Sequence, residues 1–141
     1  EHECKLDAKG RLVLPSRLKS VLPEASKKSI IVRKGFESNL IIYPITEFQN
    51  IYTRINSLNE FSSEQRKLKR NLFSGISQVD FDSNGRFLIP KNMISHCEIE
   101  RDVILIGVGN IIELWDPRKY KNNLIKDSKE FSTLAQKYLD F

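Results

Sequence analysis

The chain has 141 residues, 40% of them hydrophobic and 29% charged, with 23 Lys and Arg against 18 Asp and Glu for a net charge of +5. This length and apolar content suit one compact domain with a sizeable core. No run approaches the roughly 18 apolar residues of a membrane span, and the charged opening Glu1-His2-Glu3-Cys4-Lys5 is unlike a signal peptide, so a soluble cytoplasmic protein is expected. The basic surplus is uneven: residues 1–75 carry 14 Lys and Arg against 8 Asp and Glu, residues 76–141 carry 9 against 10. A basic half suits a polyanionic partner.

In chain order, the first patterned segment is Asp7-Ala8-Lys9-Gly10-Arg11-Leu12-Val13-Leu14-Pro15. It reads as a turn leading into a short buried strand, Leu12-Val13-Leu14, bounded by Gly and Pro. Pro15 then opens a short helix carrying Leu18, Val21 and Leu22, which Pro23 stops. Ile30-Ile31-Val32 and Leu40-Ile41-Ile42-Tyr43 flank a turn around Gly35 and Asn39, predicting a hairpin. After Pro44, the stripe Ile45, Phe48, Ile51 or Tyr52, Ile55 and Leu58 predicts an amphipathic helix. Ser62 with Gln65 forms a capping-box pattern that opens a second helix, ending near Gly75. Its Arg66, Lys67, Lys69 and Arg70 lie opposite Leu68 and Leu72, a pattern that suits a solvated face better than phosphate contact.

The chain then repeats itself. Asp82-Ser83-Asn84-Gly85-Arg86-Phe87-Leu88-Ile89-Pro90 returns the first motif displaced by 75 positions. Met93 and Ile94 follow Pro90 as a short helix, and Val103–Ile106 and Ile111–Trp115 flank a second hairpin turn in which Gly107 and Gly109 read as turn residues. A nucleotide-binding loop is a poor alternative there, for want of a third Gly and a following helix. Leu40–Tyr43 parallels Ile112–Trp115, and Phe48 parallels Tyr120, at an offset of 72. A final helix is expected from about Lys119 to Tyr138, through Leu124, Phe131 and Leu134. Two copies are too few for a solenoid, so the halves should interleave around one core, with neither folding alone.

The repeated Asp-x-x-Gly-Arg has two physical readings. In one, Asp caps turn amides, Gly supplies a positive φ and Arg pairs with the same Asp. In the other, Gly lets the backbone approach a ligand and the guanidinium reaches phosphate or guanine; Lys9 adds a cation in the first copy, where the second has Asn84. Both stay open at this point. His2, Cys4, His96 and Cys97 could together form a zinc set, but neither spacing matches a zinc module, and reduced core thiols are the better expectation. No metal or cofactor is expected. With only two His, no Gly-x-Ser-x-Gly, no P-loop and no suggestive carboxylate pair, the chain is not expected to be an enzyme.

The ordered set Leu6-Asp7-Ala8-Lys9-Gly10-Arg11-Leu12-Val13-Leu14-Pro15, Gly35, Leu40-Ile41-Ile42-Tyr43-Pro44, Arg70, Asp82–Pro90 and Ile112-Glu113-Leu114-Trp115-Asp116 resembles the MraZ family over roughly residues 4–122. Members are bacterial transcriptional regulators with two repeats of the SpoVT/AbrB type, each bearing Asp-x-x-x-Arg; the counterparts here are Asp7 with Arg11 and Asp82 with Arg86. The resemblance implies a pseudo-two-fold, swapped-hairpin α+β barrel that assembles into a ring. It also implies binding to direct repeats in double-stranded DNA upstream of the division and cell-wall gene cluster, usually as a repressor, with a nucleoid location. The division expected is 1–58 first repeat, 59–75 connecting basic helix, 76–123 second repeat and 124–141 helical tail. The family usually has a short aromatic-bearing stretch before the first motif, whereas this chain starts almost on the motif, so a truncated first strand is expected.

On that resemblance, Lys9, Arg11 and Arg86 are expected to contact DNA from exposed loop tips, while Asp7, Gly10, Asp82 and Gly85 orient the loops. Asn84 makes the second tip less cationic. The apolar helix Ile45–Leu58, with Tyr120 and Leu124, is more than one domain should need, which points to a subunit boundary. The competing expectation is a protein-binding module of AbrB type, such as an antitoxin.

Overall fold

The computed structural model describes residues 1–23 and 28–140. The fold is mixed α+β. Its strands are β1 (His2–Lys5), β2 (Arg11–Val13), β3 (Ser29–Lys34), β4 (Asn39–Tyr43), β5 (Ile76–Asp80), β6 (Arg86–Leu88), β7 (Asp102–Val108) and β8 (Ile111–Trp115). Its helices are α1 (Ser16–Lys19), α2 (Ile45–Asn56), α3 (Ser63–Ser74), α4 (Lys91–Cys97), α5 (Pro117–Asn122) and α6 (Ser128–Leu139).

Every strand pairing is antiparallel. A six-stranded sheet runs β1-β7-β8-β4-β3-β5, and β2 pairs with β6 as a separate ribbon. Exchanging each strand for its counterpart in the other repeat reverses the order without changing it. That pseudo-two-fold passes between Leu12 and Phe87 in the ribbon and between Ile41 and Glu113 in the sheet, each a pair of equivalent residues in direct register. Each repeat lends its first strand to the other: β1 lies on β7, β5 on β3. Among the described residues, no ladder joins β1 to β5.

Period-two alternation sends side chains to opposite faces of a strand. Ile30, Val32, Leu40, Ile42, Val103, Leu105, Ile112 and Leu114 therefore face one core, closed by Leu12, Leu14, Phe87 and Ile89 from the ribbon side and by Leu18 of α1 and Met93 of α4. Burial of each such side chain is worth about 1.5–3 kcal/mol. On the opposite face α2 covers Ile31, Ile41 and Tyr43, and α5 brings Tyr120 against Ile104 and Trp115. The ring pairs Tyr43–Phe48, at 6.0 Å, and Trp115–Tyr120, at 6.2 Å, are the same contact made twice.

Several expectations change in detail. Gly107 lies within β7, opposite Ile112, and only Gly109, with φ +64°, makes the turn. The single C-terminal helix is two, separated where Asp127 caps α6 by accepting from the Lys129 amide. Ser62 does cap α3, accepting from the Gln65 amide at 3.3 Å, but the Gln65 side chain accepts from the Asn59 amide instead of returning to Ser62. No helix among the described residues is long and apolar enough to cross a membrane.

Candidate nucleic-acid interface

The duplicated motifs form twin latches at the two ends of the β2–β6 ribbon. Asp7 Oδ1 accepts from the Lys9 amide at 2.9 Å and the Arg11 amide at 2.8 Å, while Oδ2 accepts from Arg11 Nε at 2.7 Å. The Gly10 amide donates to the Asp7 carbonyl at 3.0 Å, closing a turn that needs φ +83° at Gly10. Asp82 repeats every contact: Asn84 and Arg86 amides at 2.9 Å, Arg86 Nε at 2.9 Å, and Gly85 at φ +74°. The Arg11 backbone amide does most to hold the Asp7 carboxyl below its ordinary value, against an opposing desolvation, and the Arg11 guanidinium and the Lys9 amide add to it. Arg86 and Asn84 do the same for Asp82.

The geometry realises the turn-capping reading of the motif in both copies. The carboxylate engages Nε, and neither Nη of Arg11 or Arg86 bonds to another described residue. An ion pair this exposed adds little stability, but it restricts each arginine's rotamers while engaging only Nε of the guanidinium. The arginines do not stand free at the tips as expected: their side chains are 28% and 31% exposed, because the aspartates fold them back onto the ribbon. The tips themselves carry exposed Lys9 and Asn84.

The ribbon's outer face also holds two residues that sequence reasoning assigned to the core. Val13 is 48% and Leu88 52% exposed, while their neighbours Leu12 and Phe87 are buried. The middle residue of a three-residue apolar run must point away from the other two, a signal present in the sequence. Arg11 stands opposite Leu88, and Val13 opposite Arg86. The Gly10 carbonyl accepts from the Ile89 amide at 3.0 Å, tying the first latch to the second repeat.

The remaining candidates lie elsewhere. Cys97 is in the core, where burial, and secondarily the Asp116 charge, push its thiol up to about 12. Burial likewise raises Cys4, so both thiolates are disfavoured as ligands. His96 Nε2 lies 3.0 Å from the Glu37 carbonyl. Among the described residues, no three His, Cys, Asp or Glu side chains are grouped to hold a metal ion. On α3, Arg66 donates to the Glu60 carbonyl at 2.8 Å, and Leu68 and Leu72 line a groove with Ile51, Ile55 and Leu58.

A duplicated α+β domain whose two Asp–Arg latches share one β-ribbon defines the class: a two-repeat protein built on a pseudo-two-fold. The family model described as "MraZ protein, putative antitoxin-like" matches twice, at residues 1–71 and 72–141. The protein named transcriptional regulator MraZ of Cytophaga hutchinsonii is 49% identical over 139 residues, covering 99% of this chain and 92% of that one. Its namesake in Christiangramia forsetii is 36% identical over 98% and 90% of the two chains, and that of Pediococcus pentosaceus 30% over 100% and 96%. The chain belongs to the MraZ family.

Proposed function

We propose that this chain is a sequence-specific DNA-binding transcriptional regulator, acting as a repressor on direct repeats upstream of the bacterial division and cell-wall gene cluster, in the cytoplasm and associated with the nucleoid. The relatives' names supply the regulator reading. One observation carries it to residues: two pre-oriented guanidinium forks on the outer face of a two-stranded ribbon. Such a ribbon fits the B-DNA major groove, where guanine offers O6 and N7 to a forked donor. Arg11 and Arg86 read base edges, Lys9 contacts phosphate, and Asp7, Gly10, Asp82 and Gly85 hold the loops. The interleaved ladders support the swapped-hairpin barrel, with repeats at 1–58 and 76–123, a linking helix in 59–75 and a tail at 124–141.

The protein works as a ring. Helix α6 buries no residue although Phe131, Tyr138 and Leu139 are each more than 60% exposed. The groove between α2 and α3, of about 330 Å³, is apolar and edged by Arg33 and Arg54. Seating α6, with its acidic Glu130, in a neighbour's groove is a heterologous contact, which forms a ring when the rotation between neighbours closes on itself. Repeated loops engaging repeated boxes raise avidity by roughly 10²–10⁴.

Footprinting and a salt titration on the DNA upstream of the chain's own gene test this reading. Protected repeats and a steep fall of affinity with salt are expected. Absence of specific protection, or salt-insensitive binding to a protein partner as an antitoxin would show, overturns it.

A further inference from the structure

The solvent face of a strand ordinarily carries polar side chains, yet both repeats place a branched aliphatic residue at the same exposed position of the ribbon, Val13 and Leu88. Each faces a latched arginine across the ladder: Leu88 opposite Arg11, Val13 opposite Arg86. Directly opposed residues have Cα atoms roughly 4.5–5.5 Å apart, so each arginine and the aliphatic residue across from it share one patch of the outer face. Leu88 also leans over the first latch, where its Cδ1 lies 3.9 Å from the place a Cβ on Gly10 would take. An aliphatic side chain between two guanidinium forks and beside Lys9 does not suit a neutral protein surface; it suits a polyanion that also presents methyl groups.

In the major groove the thymine 5-methyl is the one apolar feature, as the O6/N7 pair is the mark of guanine. We propose that Val13 and Leu88 are specificity-determining residues that contact thymine methyls, each beside a guanine held by the arginine across the ladder. The chain would then select guanine–thymine neighbours, twice, with the two contacts related by the pseudo-two-fold. This inference rests on the DNA-binding reading and adds to it a base that the arginines cannot read.

The test separates the two. The duplex most enriched by the full chain from a random-sequence pool is synthesised with thymine and with uracil, which lacks only the methyl. Binding is then measured at fixed salt for the parent, Val13→Ala and Leu88→Ala. The parent should bind the uracil duplex roughly threefold to tenfold more weakly per contacted methyl, the scale of one buried methyl group. The variants should bind the thymine duplex more weakly, respond less to uracil, and melt like the parent. Equal parental binding to both duplexes, or variants that keep the parent's full uracil response, overturns the assignment. So does a changed subunit number in Leu88→Ala with that response intact, which makes the face a contact between copies. If the parent enriches no duplex at all, the DNA-binding reading falls, and this inference with it.

Discussion

Ile41 and Glu113 occupy equivalent positions in the two repeats and stand opposite each other in the β4–β8 ladder. Ile41 is buried beneath α2, whereas the half-buried Glu113 accepts from Trp115 Nε1 at 2.9 Å. The two repeats meet here in symmetric register while their outer faces have diverged, because α2 has 12 residues and α5 only 6. Glu113→Ala therefore leaves the indole donor of a residue only 4% exposed without its partner. The expected cost is about 1–3 kcal/mol, measured by denaturant unfolding with the fluorescence of Trp115, the chain's only Trp, as reporter.

Arg11→Ala should weaken binding to the enriched duplex by about tenfold to a hundredfold per loop with folding intact. Arg11→Lys should recover little, since an ammonium offers no fork and cannot bond Asp7 while reaching outward. Asn84→Lys should steepen the salt slope by about one unit without sharpening sequence preference. Affinity measured across a salt series checks all three; parental binding by Arg11→Ala removes the proposed readout.

The latches set a pH dependence with a definite sign. Asp7 and Asp82 have depressed pKa values, chiefly through the backbone amides of Arg11 and Arg86. Their contribution is thus present above the ordinary aspartate value, near 3.9, and is lost as pH falls through the lower folded values. Carboxyl NMR titration should place both midpoints below that of an unstructured aspartate. DNA affinity should show no aspartate-dependent change between pH 5 and 8.

Three glycine substitutions should rank in severity. At Gly35 a Cβ would lie 1.8 Å from Asn39 Oδ1 and 2.7 Å from its Cγ, and Asn39 is 1% exposed with nowhere to move. Gly35→Ala should cost the most, about 2–3 kcal/mol. Gly10→Ala combines a left-handed backbone with a 3.1 Å approach to Ile94 Cδ1, about 1–2 kcal/mol. Gly85→Ala meets nothing within 4 Å and should cost about 1 kcal/mol from its backbone alone. Thermal melts that invert this order would show the latches tolerate strain differently.

Residues 1–58 and 76–141 expressed separately should each lack cooperative unfolding. Every strand of each half forms a ladder with the other half, and only β3–β4 and β7–β8 pair within a half. Mixing the two fragments should restore a melt; dispersed NMR spectra from either alone would contradict the interleaving.

The elements legible in the sequence were those fixed by local chemistry. Pro15, Pro44 and Pro90 each directly precede a helix, Gly10 and Gly85 supply the turns, and the 72-residue offset matched Tyr43 with Trp115 and Phe48 with Tyr120, residues that the fold then packs as two ring pairs. The edge strands β1 and β5 were not legible, because His-Glu-Cys-Lys and Ile-Ser-Gln-Val-Asp are short and largely polar, and partners far along the chain hold them in the sheet. The loop residues of the candidate site were found through their repetition. Val13 and Leu88 were missed because three apolar residues in a row read as wholly buried, although a pleated strand can bury only alternate ones.

The exchange of first strands also bears on how the molecule is made. Residues His2–Lys5 pair with Asp102–Leu105, so β1 must wait for a partner about 100 residues behind it, roughly 5–20 s at ordinary rates of synthesis. The β3–β4 hairpin, whose pairing spans a short loop, forms early. During that interval the nascent first half exposes β3 and β4 as unpaired edges, the surface on which β5 and β8 later settle. Two neighbouring nascent chains in this state could complete each other's sheets, and the same pairing that builds one subunit would then knit two polypeptides into a single exchanged dimer.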